Sequence, residues 1–201
     1  MRVLPAGPHA LLIEADRPAA WAAAINRERA AGRLIAADVV PGARTVLLDG
    51  VPDAVALARA LESWPAPADP AGTASEAVRI PVRFDGADLA EVAVRWGTDP
   101  AGVVVELAAT PLRVAFCGFA PGFAYLSGLP GTRAVPRLAS PRPRVPAGAV
   151  GIAGSYVGIY PVAAPGGWQL VGHTDLPLFD VEADPPALLT PGRSVRLAVA
   201  V

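Results

Sequence analysis

The stretch RVAFCGFAPGFAYLSGLPG, residues 113–131, sets the character of the C-terminal part of the chain. Short apolar runs alternate here with turns rich in glycine and proline, and the same texture continues through Val150–Ala153 and Trp168–Val171. Many short strands separated by regular turn signals are typical of a small barrel or sandwich. The sequence therefore predicts a strand-rich region after Pro111, closed by a terminal strand at Val195–Val201.

Upstream of this region, strand and helix patterns alternate. The spacing of apolar residues predicts a β-α-β-β-α order, which is compatible with a ferredoxin-like, split βαβ unit. The predicted strands are Ala10–Glu14, Leu34–Val40 and Thr45–Leu48, and the predicted helices are Pro18–Arg33 and Pro52–Trp64.

The segment Pro65–Glu76 is rich in proline, alanine and small polar residues, as linkers are. We therefore predict an α+β protein with a small N-terminal α/β domain at residues 1–76 and a β-barrel domain at residues 77–201. The second domain is expected to begin with a strand at Val78–Phe84 and two helices, Asp88–Trp96 and a helix from Thr98 or Asp99 to Ala109.

Composition excludes several classes of function. Hydrophobic residues make up 53% and charged residues 17% of the 201 residues, which indicates a folded chain and not a disordered one. A net charge of −1 gives no field to attract nucleic acid or an anionic membrane. We expect no membrane partner and a cytoplasmic location, because no apolar run is long enough to cross a bilayer.

The inventory of reactive side chains is equally restrictive. Cys117 is the only cysteine, so no internal disulfide can form, and we expect it to be a buried apolar residue. The chain contains no lysine, which excludes Schiff-base chemistry and the usual P-loop. With His9 and His173 as the only histidines, no multi-histidine metal site is expected.

Between Leu107 and Thr174 the sequence contains no aspartate or glutamate, yet it contains five arginines. Arginine forks bind carboxylate or phosphate oxygens in a bidentate way, and glycines let backbone N–H groups approach an anion. The span therefore predicts an anion site, with a proline-rich surface loop carrying solvated arginines as the alternative. No catalytic residue is assigned within the chain, and a missing acid or base would come from another chain.

Several ordered motifs together resemble one known family. The chain is similar to the family that contains the B subunit of 5-oxoprolinase, KipI and allophanate hydrolase subunit 1. The opening segments Ala10–Glu14 and Val40–Gly42 are part of the likeness. The motifs that carry it most strongly are Gly118–Leu126, Pro136-Arg137, Pro141-Arg142, Arg144–Gly148, Gly151–Gly154, Gly158–Pro161, Pro165–Trp168 and Leu178–Asp180.

The resemblance implies a cyclophilin-like, carboxyltransferase-type β-barrel after the N-terminal α/β domain. It also implies a non-autonomous part of an ATP-dependent 5-oxoprolinase, a hydrolase of a cyclic amide. The partners would be a homologous C-type subunit, related to allophanate hydrolase subunit 2, and an ATPase subunit that binds the ATP. Two alternatives stay open: a regulator that inhibits a sensor histidine kinase, and half of a biotin-dependent urea-type carboxyltransferase.

The same resemblance suggests which residues would bind a small anionic substrate. Arg142 and Arg144 would bind its carboxylate or a phosphorylated intermediate, and His173 would contact it. The full predicted set is Phe119, Gly122, Phe123, Tyr125, Arg142, Arg144, Gly167 and His173. The chain departs from the family pattern at Leu107, Leu138, Tyr156, Val157 and His173, which leaves the exact substrate open.

Overall fold

A computed structural model describes residues 1–68 and 76–200. The chain divides into two compact units, Met1–Thr73 and Ala74–Val201. More than half of the predicted linker, residues 69–75, lies outside the described residues, as does residue 201. The predicted domain boundary between residues 76 and 77 therefore stays a prediction.

The first unit contains a four-stranded antiparallel sheet and two helices. Its strands are β1 (Arg2–Pro5), β2 (Leu11–Glu14), β3 (Asp38–Pro41) and β4 (Thr45–Asp49), in the spatial order β1-β2-β4-β3. Its helices are α1 (Pro18–Ala30) and α2 (Ala54–Glu62).

Local sequence accounts for these elements. Pro18 stands in the first turn of α1, where its missing N–H is not needed. Asp53 caps α2, because its Oδ1 accepts a hydrogen bond from the backbone N–H of Ala56 at 2.9 Å. Ile13 of β2 and Val46 of β4 are fully buried in the core of this unit, as alternation along a one-sided sheet requires.

The ferredoxin-like prediction for this unit is not confirmed. Strands β2 and β3, which α1 connects, are separated by the antiparallel β4, as in a split βαβ unit. The fourth strand, however, is β1, which precedes β2, whereas the ferredoxin-like order places a strand after the second helix. The sequence prediction missed β1 entirely, and it began a strand at Leu34 although pairing starts at Asp38.

The second unit is built on strands, with two helices near its start. Its strands within residues 76–200 are β5 (Val78–Val82), β6 (Leu112–Cys117), β7 (Ala124–Ser127), β8 (Arg142–Val145), β9 (Ala149–Ala153), β10 (Tyr156–Ile159), β11 (Ala164–Gly166), β12 (Gln169–His173) and β13 (Ser194–Val199). Seven of them form one sheet in the order β12-β9-β10-β7-β6-β13-β5, and β8 pairs with β11 in a separate ribbon.

The seven-stranded sheet is nearly closed into a barrel. Its two edges meet where Arg83, just after β5, exchanges two backbone hydrogen bonds of 2.8 Å with His173 of β12. Gly172 permits this approach, because a Cβ there would overlap the backbone carbonyl of Arg83. The prediction of a barrel-like sheet is thus confirmed, and we call this contact between the two edges the seam.

Two helices close one side of the barrel core. They are α3 (Leu89–Trp96) and α4 (Pro100–Ala109), separated by Gly97 with φ 67°. Asp99 caps α4, since its Oδ1 accepts from the Gly102 N–H at 2.7 Å. Leu107 of α4 is fully buried among the residues of the barrel core. The helix predictions in this unit therefore agree with the structure to within a residue or two.

Candidate functional site

Aromatic side chains cover part of the outer face of the barrel sheet. On β7, Leu126 is buried in the barrel core, so its neighbour Tyr125 points to the opposite face. Gly158 of β10 leaves space for rings on that face. A Cβ at this position would lie 2.7 Å from Cζ3 of Trp168 and 2.8 Å from Cζ of Phe123. The glycine is therefore required by the packing of the two rings.

The ring of Phe123 stands at the centre of this aromatic cluster. Edge-to-face contacts of this kind favour one fixed arrangement of rings, so the cluster forms a rigid wall. The centroid of Phe123 lies 5.1 Å from Tyr125, 5.2 Å from Phe119, 5.3 Å from Tyr160 and 5.5 Å from Trp168.

A cleft of about 220 Å³ lies against this wall. It is smaller than the roughly 300–1,000 Å³ of pockets that hold drug-sized ligands, so its size suits a small molecule. The lining residues are Phe119, Phe123, Tyr125, Arg137, Pro141, Tyr160, Pro165, Gly166, Gly167 and Trp168. We call this the aromatic cleft.

The loop before β7 supplies one wall of the aromatic cleft in an unusual conformation. Phe119 has φ 74°, a left-handed backbone that bulky residues rarely adopt. Its side chain is 60% exposed. Gly122 has φ 82°, and a Cβ there would lie 2.7 Å from the Cβ of Phe179. Backbone strain of this kind concentrates at functional sites, which marks the loop as part of a binding surface.

Tyr160 contributes a neutral hydroxyl to the cleft. Burial raises the pKa of Tyr160, while the positive charge of Arg137 and a backbone hydrogen bond from Trp168 act in the opposite direction. The hydroxyl therefore stays protonated near neutral pH. Gly166 lies directly over it, since a Cβ at this position would overlap the hydroxyl oxygen.

The predicted arginines have different surroundings. Arg142 is engaged within the protein: its Nη2 donates to Oδ1 of Asp88 at 2.7 Å, and its Nη1 donates to the backbone carbonyl of Trp168 at 3.4 Å. Arg144 is exposed and is not among the residues that line the cleft. Arg137 does line the cleft, although the sequence prediction did not select it.

His173 lies at the seam, in a separate depression of about 360 Å³. Its Nδ1 is 2.8 Å from Oδ1 of Asp85, and its Nε2 is 2.9 Å from Nε of Arg83. Arg83 also pairs with Asp175, through Nη2 and Oδ2 at 2.8 Å. The hydrogen bond from His173 lowers the pKa of Asp85, because it favours the charged carboxylate.

The structure thus brings together only part of the predicted set. Phe119, Phe123, Tyr125 and Gly167 line the aromatic cleft, and Gly122 shapes the loop that carries Phe119. Arg142, Arg144 and His173 are not among its lining residues. Tyr160, Trp168 and Arg137 do line it, and all three belong to motifs that carry the family resemblance, Gly158–Pro161, Pro165–Trp168 and Pro136-Arg137.

The acid-free span of sequence is not free of acids in space. The prediction that its missing carboxylates come from another chain needs correction, because four residues outside the span reach its side chains or the seam. Asp88 pairs with Arg142 and Glu106 with Arg133, both at 2.7 Å. Asp85 and Asp175 approach the seam. Folding joins distant segments, so absence from a stretch of sequence says little about its neighbours.

The departures from the family pattern that change a polar position lie away from the aromatic cleft. Leu107 and Val157 are fully buried in the barrel core. Tyr156 packs edge-to-face on Phe116 and Tyr125, and His173 lies at the seam. These changes therefore leave the lining of the cleft intact.

Neither a metal centre nor a membrane span is found in the described part of the chain. Over residues 1–68 and 76–200, no group of three or more histidine, cysteine, aspartate or glutamate side chains is arranged to hold a metal ion. Within the same residues, every helix is too short or too polar to cross a bilayer.

The fold and the motifs together define the class of protein. Residues 1–189 match the family described as carboxyltransferase domain, subdomain C and D. The chain belongs to this family.

Its curated relatives within reach of sequence comparison are subunits of one enzyme. The chain is 41% identical over 201 residues to the B subunit of 5-oxoprolinase from Escherichia coli O157:H7, covering 94% of this chain and 92% of the relative. It is 46% identical over 122 residues to the 5-oxoprolinase B subunit of Bacillus subtilis (strain 168), covering 59% of this chain and 51% of that one.

Solved structures share the architecture. The crystal structure of TTHA0988 superposes with a TM-score of 0.80 at 33% identity, covering 96% of this chain. This chain spans only 40% of the length of that protein. A conserved uncharacterized protein from Pyrococcus horikoshii has a TM-score of 0.60 at 29% identity, covering 98% of this chain and 97% of its own. Urea carboxylase of Kluyveromyces lactis, at 19% identity and a TM-score of 0.66, shares the fold over 99% of this chain and 22% of its own.

Proposed function

We propose that this chain is the B-type subunit of an ATP-dependent 5-oxoprolinase, which hydrolyses a cyclic amide. The observation that carries the proposal is the 41% identity to a 5-oxoprolinase B subunit along 94% of the chain. An identity at this level extends through both units of the protein and includes the motifs around the aromatic cleft.

The chemistry of the aromatic cleft supports a binding role for this chain. Its rings offer flat apolar surfaces for a small ring, and Arg137 offers a cation for a carboxylate. The other titratable lining residues are Tyr125 and Tyr160, and a protonated phenol is not a strong base at neutral pH. Groups that attack and protonate the amide would therefore come from a partner in the complex.

The same reasoning places ATP elsewhere. The chain has no lysine with which to bind phosphate. In our proposal ATP is bound by an ATPase subunit, and the homologous C-type partner supplies the rest of the active site, while this chain holds the substrate. Its substrate-binding residues would include Phe119, Phe123, Tyr125 and Gly167, with the complex located in the cytoplasm.

A second candidate follows from the family itself. The matching family is described as a carboxyltransferase domain, so the chain would then serve as one half of a biotin-dependent carboxyltransferase. This candidate predicts carboxyl transfer from carboxybiotin and no ATP-dependent opening of a cyclic amide.

Reconstitution separates the two candidates. The full chain is purified with the C-type and ATPase proteins of its own host, and glutamate released from 5-oxoproline is measured with and without ATP. The 5-oxoprolinase proposal predicts release that requires ATP and all three chains. Absence of release, together with transfer of labelled carboxyl from carboxybiotin, would replace it with the carboxyltransferase candidate.

A further inference from the structure

The arginines near the aromatic cleft differ in whether their charge is already used. Arg133 donates from Nε to Oε1 of Glu106 at 2.7 Å, and Arg142 donates to Asp88 at the same distance. Arg137 makes no ion pair and no side-chain hydrogen bond with any residue in the described ranges 1–68 and 76–200. Its guanidinium is therefore free to bind an anion.

The backbone around Arg137 is nevertheless anchored on both sides. The N–H of Leu138 donates to the carbonyl of Gly167 at 2.7 Å. On the other side, Nε2 of Gln169 donates to the carbonyl of Pro136 at 3.3 Å, and Gln169 is only 3% exposed. Because the loop is already ordered, a ligand would have to restrict little more than the arginine side chain.

The surroundings of Arg137 favour an anion over a cation. The positive charge of Arg137 acts on the hydroxyl of Tyr160, which burial keeps protonated. Among the described residues, those that line the cleft include no aspartate and no glutamate. A carboxylate entering the cleft would meet one unpaired guanidinium and one neutral hydroxyl, with no lining carboxylate to repel it.

We propose that Arg137 binds the carboxylate of a small cyclic substrate whose ring packs on Phe119, Phe123 and Trp168. The identity of that substrate as 5-oxoproline rests on the proposed function, whereas the role of Arg137 rests on the cleft. Arg137 takes the role that the family resemblance had suggested for Arg142 and Arg144. Arg142 is occupied by Asp88, and Arg144 does not line the cleft.

Binding to the full chain tests this role. Three probes are titrated by calorimetry: 5-oxoproline, 2-pyrrolidone, which has the same ring without a carboxylate, and cyclopentanecarboxylate, which lacks the amide. Arg137→Gln is expected to weaken binding of both carboxylates roughly 10- to 100-fold, as for the loss of a charge-assisted hydrogen bond, and to leave 2-pyrrolidone unchanged. Arg137→Lys should recover part of the loss, because it keeps the charge without the planar fork.

The matched control is Arg113→Gln, which removes an exposed arginine of the same span outside the cleft and should change none of the three affinities. Unchanged carboxylate affinity in Arg137→Gln would overturn the inference. So would an equal loss in Arg144→Gln, or a failure of both carboxylates to bind the wild-type chain and the reconstituted complex.

The outcome is separable from that of the proposed function. If both carboxylates bind through Arg137 but the complete complex releases no glutamate from 5-oxoproline, the role of Arg137 stands and the proposed function fails. If the complex containing Arg137→Gln turns over 5-oxoproline with an unchanged KM, the proposed function stands and the role of Arg137 fails.

Discussion

Nε of Arg83 donates a hydrogen bond of 2.9 Å to Nε2 of His173, and this contact defines the chemical state of the histidine. Arginine has no acceptor, so Nε2 must carry a lone pair and no proton. The proton of the neutral ring is then on Nδ1, which donates to Oδ1 of Asp85 at 2.8 Å. The seam of the barrel is therefore joined by side chains as well as by the backbone pairing of the same two residues.

We expect the neutral His173 ring to be protonated on Nδ1. Long-range ¹H–¹⁵N correlation spectra distinguish the two tautomers by their nitrogen shifts, and the chain has only two histidines. The variant His9→Asn assigns the remaining signal to His173 without touching the second unit. A ring protonated on Nε2 would contradict the hydrogen-bond pattern of the seam.

Asp85 should make stability depend on acid pH. The hydrogen bond from His173 lowers the pKa of Asp85 from its usual 3.8, so the carboxylate stabilises the fold above that value. This contribution is lost as the pH falls through the lower pKa of the folded state. Urea unfolding at several pH values should show Asp85→Asn less stable than wild type at neutral pH, with the difference vanishing in strong acid.

The control for this pH effect is the same substitution in a His173→Leu background. Without the donor on Nδ1, Asp85→Asn should have no pH-dependent effect beyond that of an exposed carboxylate. A pH dependence that persists in this background would assign the effect to another group.

Gly158 should not tolerate a methyl group. A Cβ there would lie 2.7 Å from the ring of Trp168 and 2.8 Å from that of Phe123, so Gly158→Ala should cost about 1–3 kcal/mol in the free energy of unfolding. Gly131→Ala is the matched control, because a Cβ at residue 131 meets nothing within 4 Å. Equal stability of the two variants by chemical denaturation would show that the aromatic cluster is loosely packed.

Arg142 is expected to matter for stability through Asp88. Their side chains are 28% and 12% exposed, so Arg142→Met leaves a largely buried carboxylate with only the N–H of Leu170 as partner among the described residues. We expect a loss of about 1–3 kcal/mol. In the double variant with Asp88→Asn the loss should be smaller than the sum of the single losses. Additive losses by thermal and urea unfolding would show that the two residues act independently.

Much of the fold follows from local patterns in the sequence. Capping and turn signals such as Pro18, Asp53, Gly97 and Asp99 predicted the helices, because these residues act on their own segment of backbone. The short strand β1 escaped prediction, since Arg2–Pro5 has no clear alternation and is stabilised by pairing with β2. Strand pairing between distant segments leaves little local signal.

The candidate site was predicted in part. Aromatic and glycine motifs identified Phe119, Phe123, Tyr125 and Gly167, because a ligand cleft needs that texture wherever the chain places it. The choice among arginines could not be made in the same way. The partner of Arg142 is Asp88, which lies 54 residues away in sequence.

The sequence by itself determined the family, the strand-rich character after Pro111 and the supply of arginines and aromatic rings, because these depend on residue identity and short-range order. Only the tertiary structure decided which charges are used. Packing places Asp88 on Arg142 and Glu106 on Arg133, and it leaves Arg137 facing the aromatic cleft without a partner among the described residues. Whether an arginine can bind a ligand depends on its neighbours in space, and folding alone sets those.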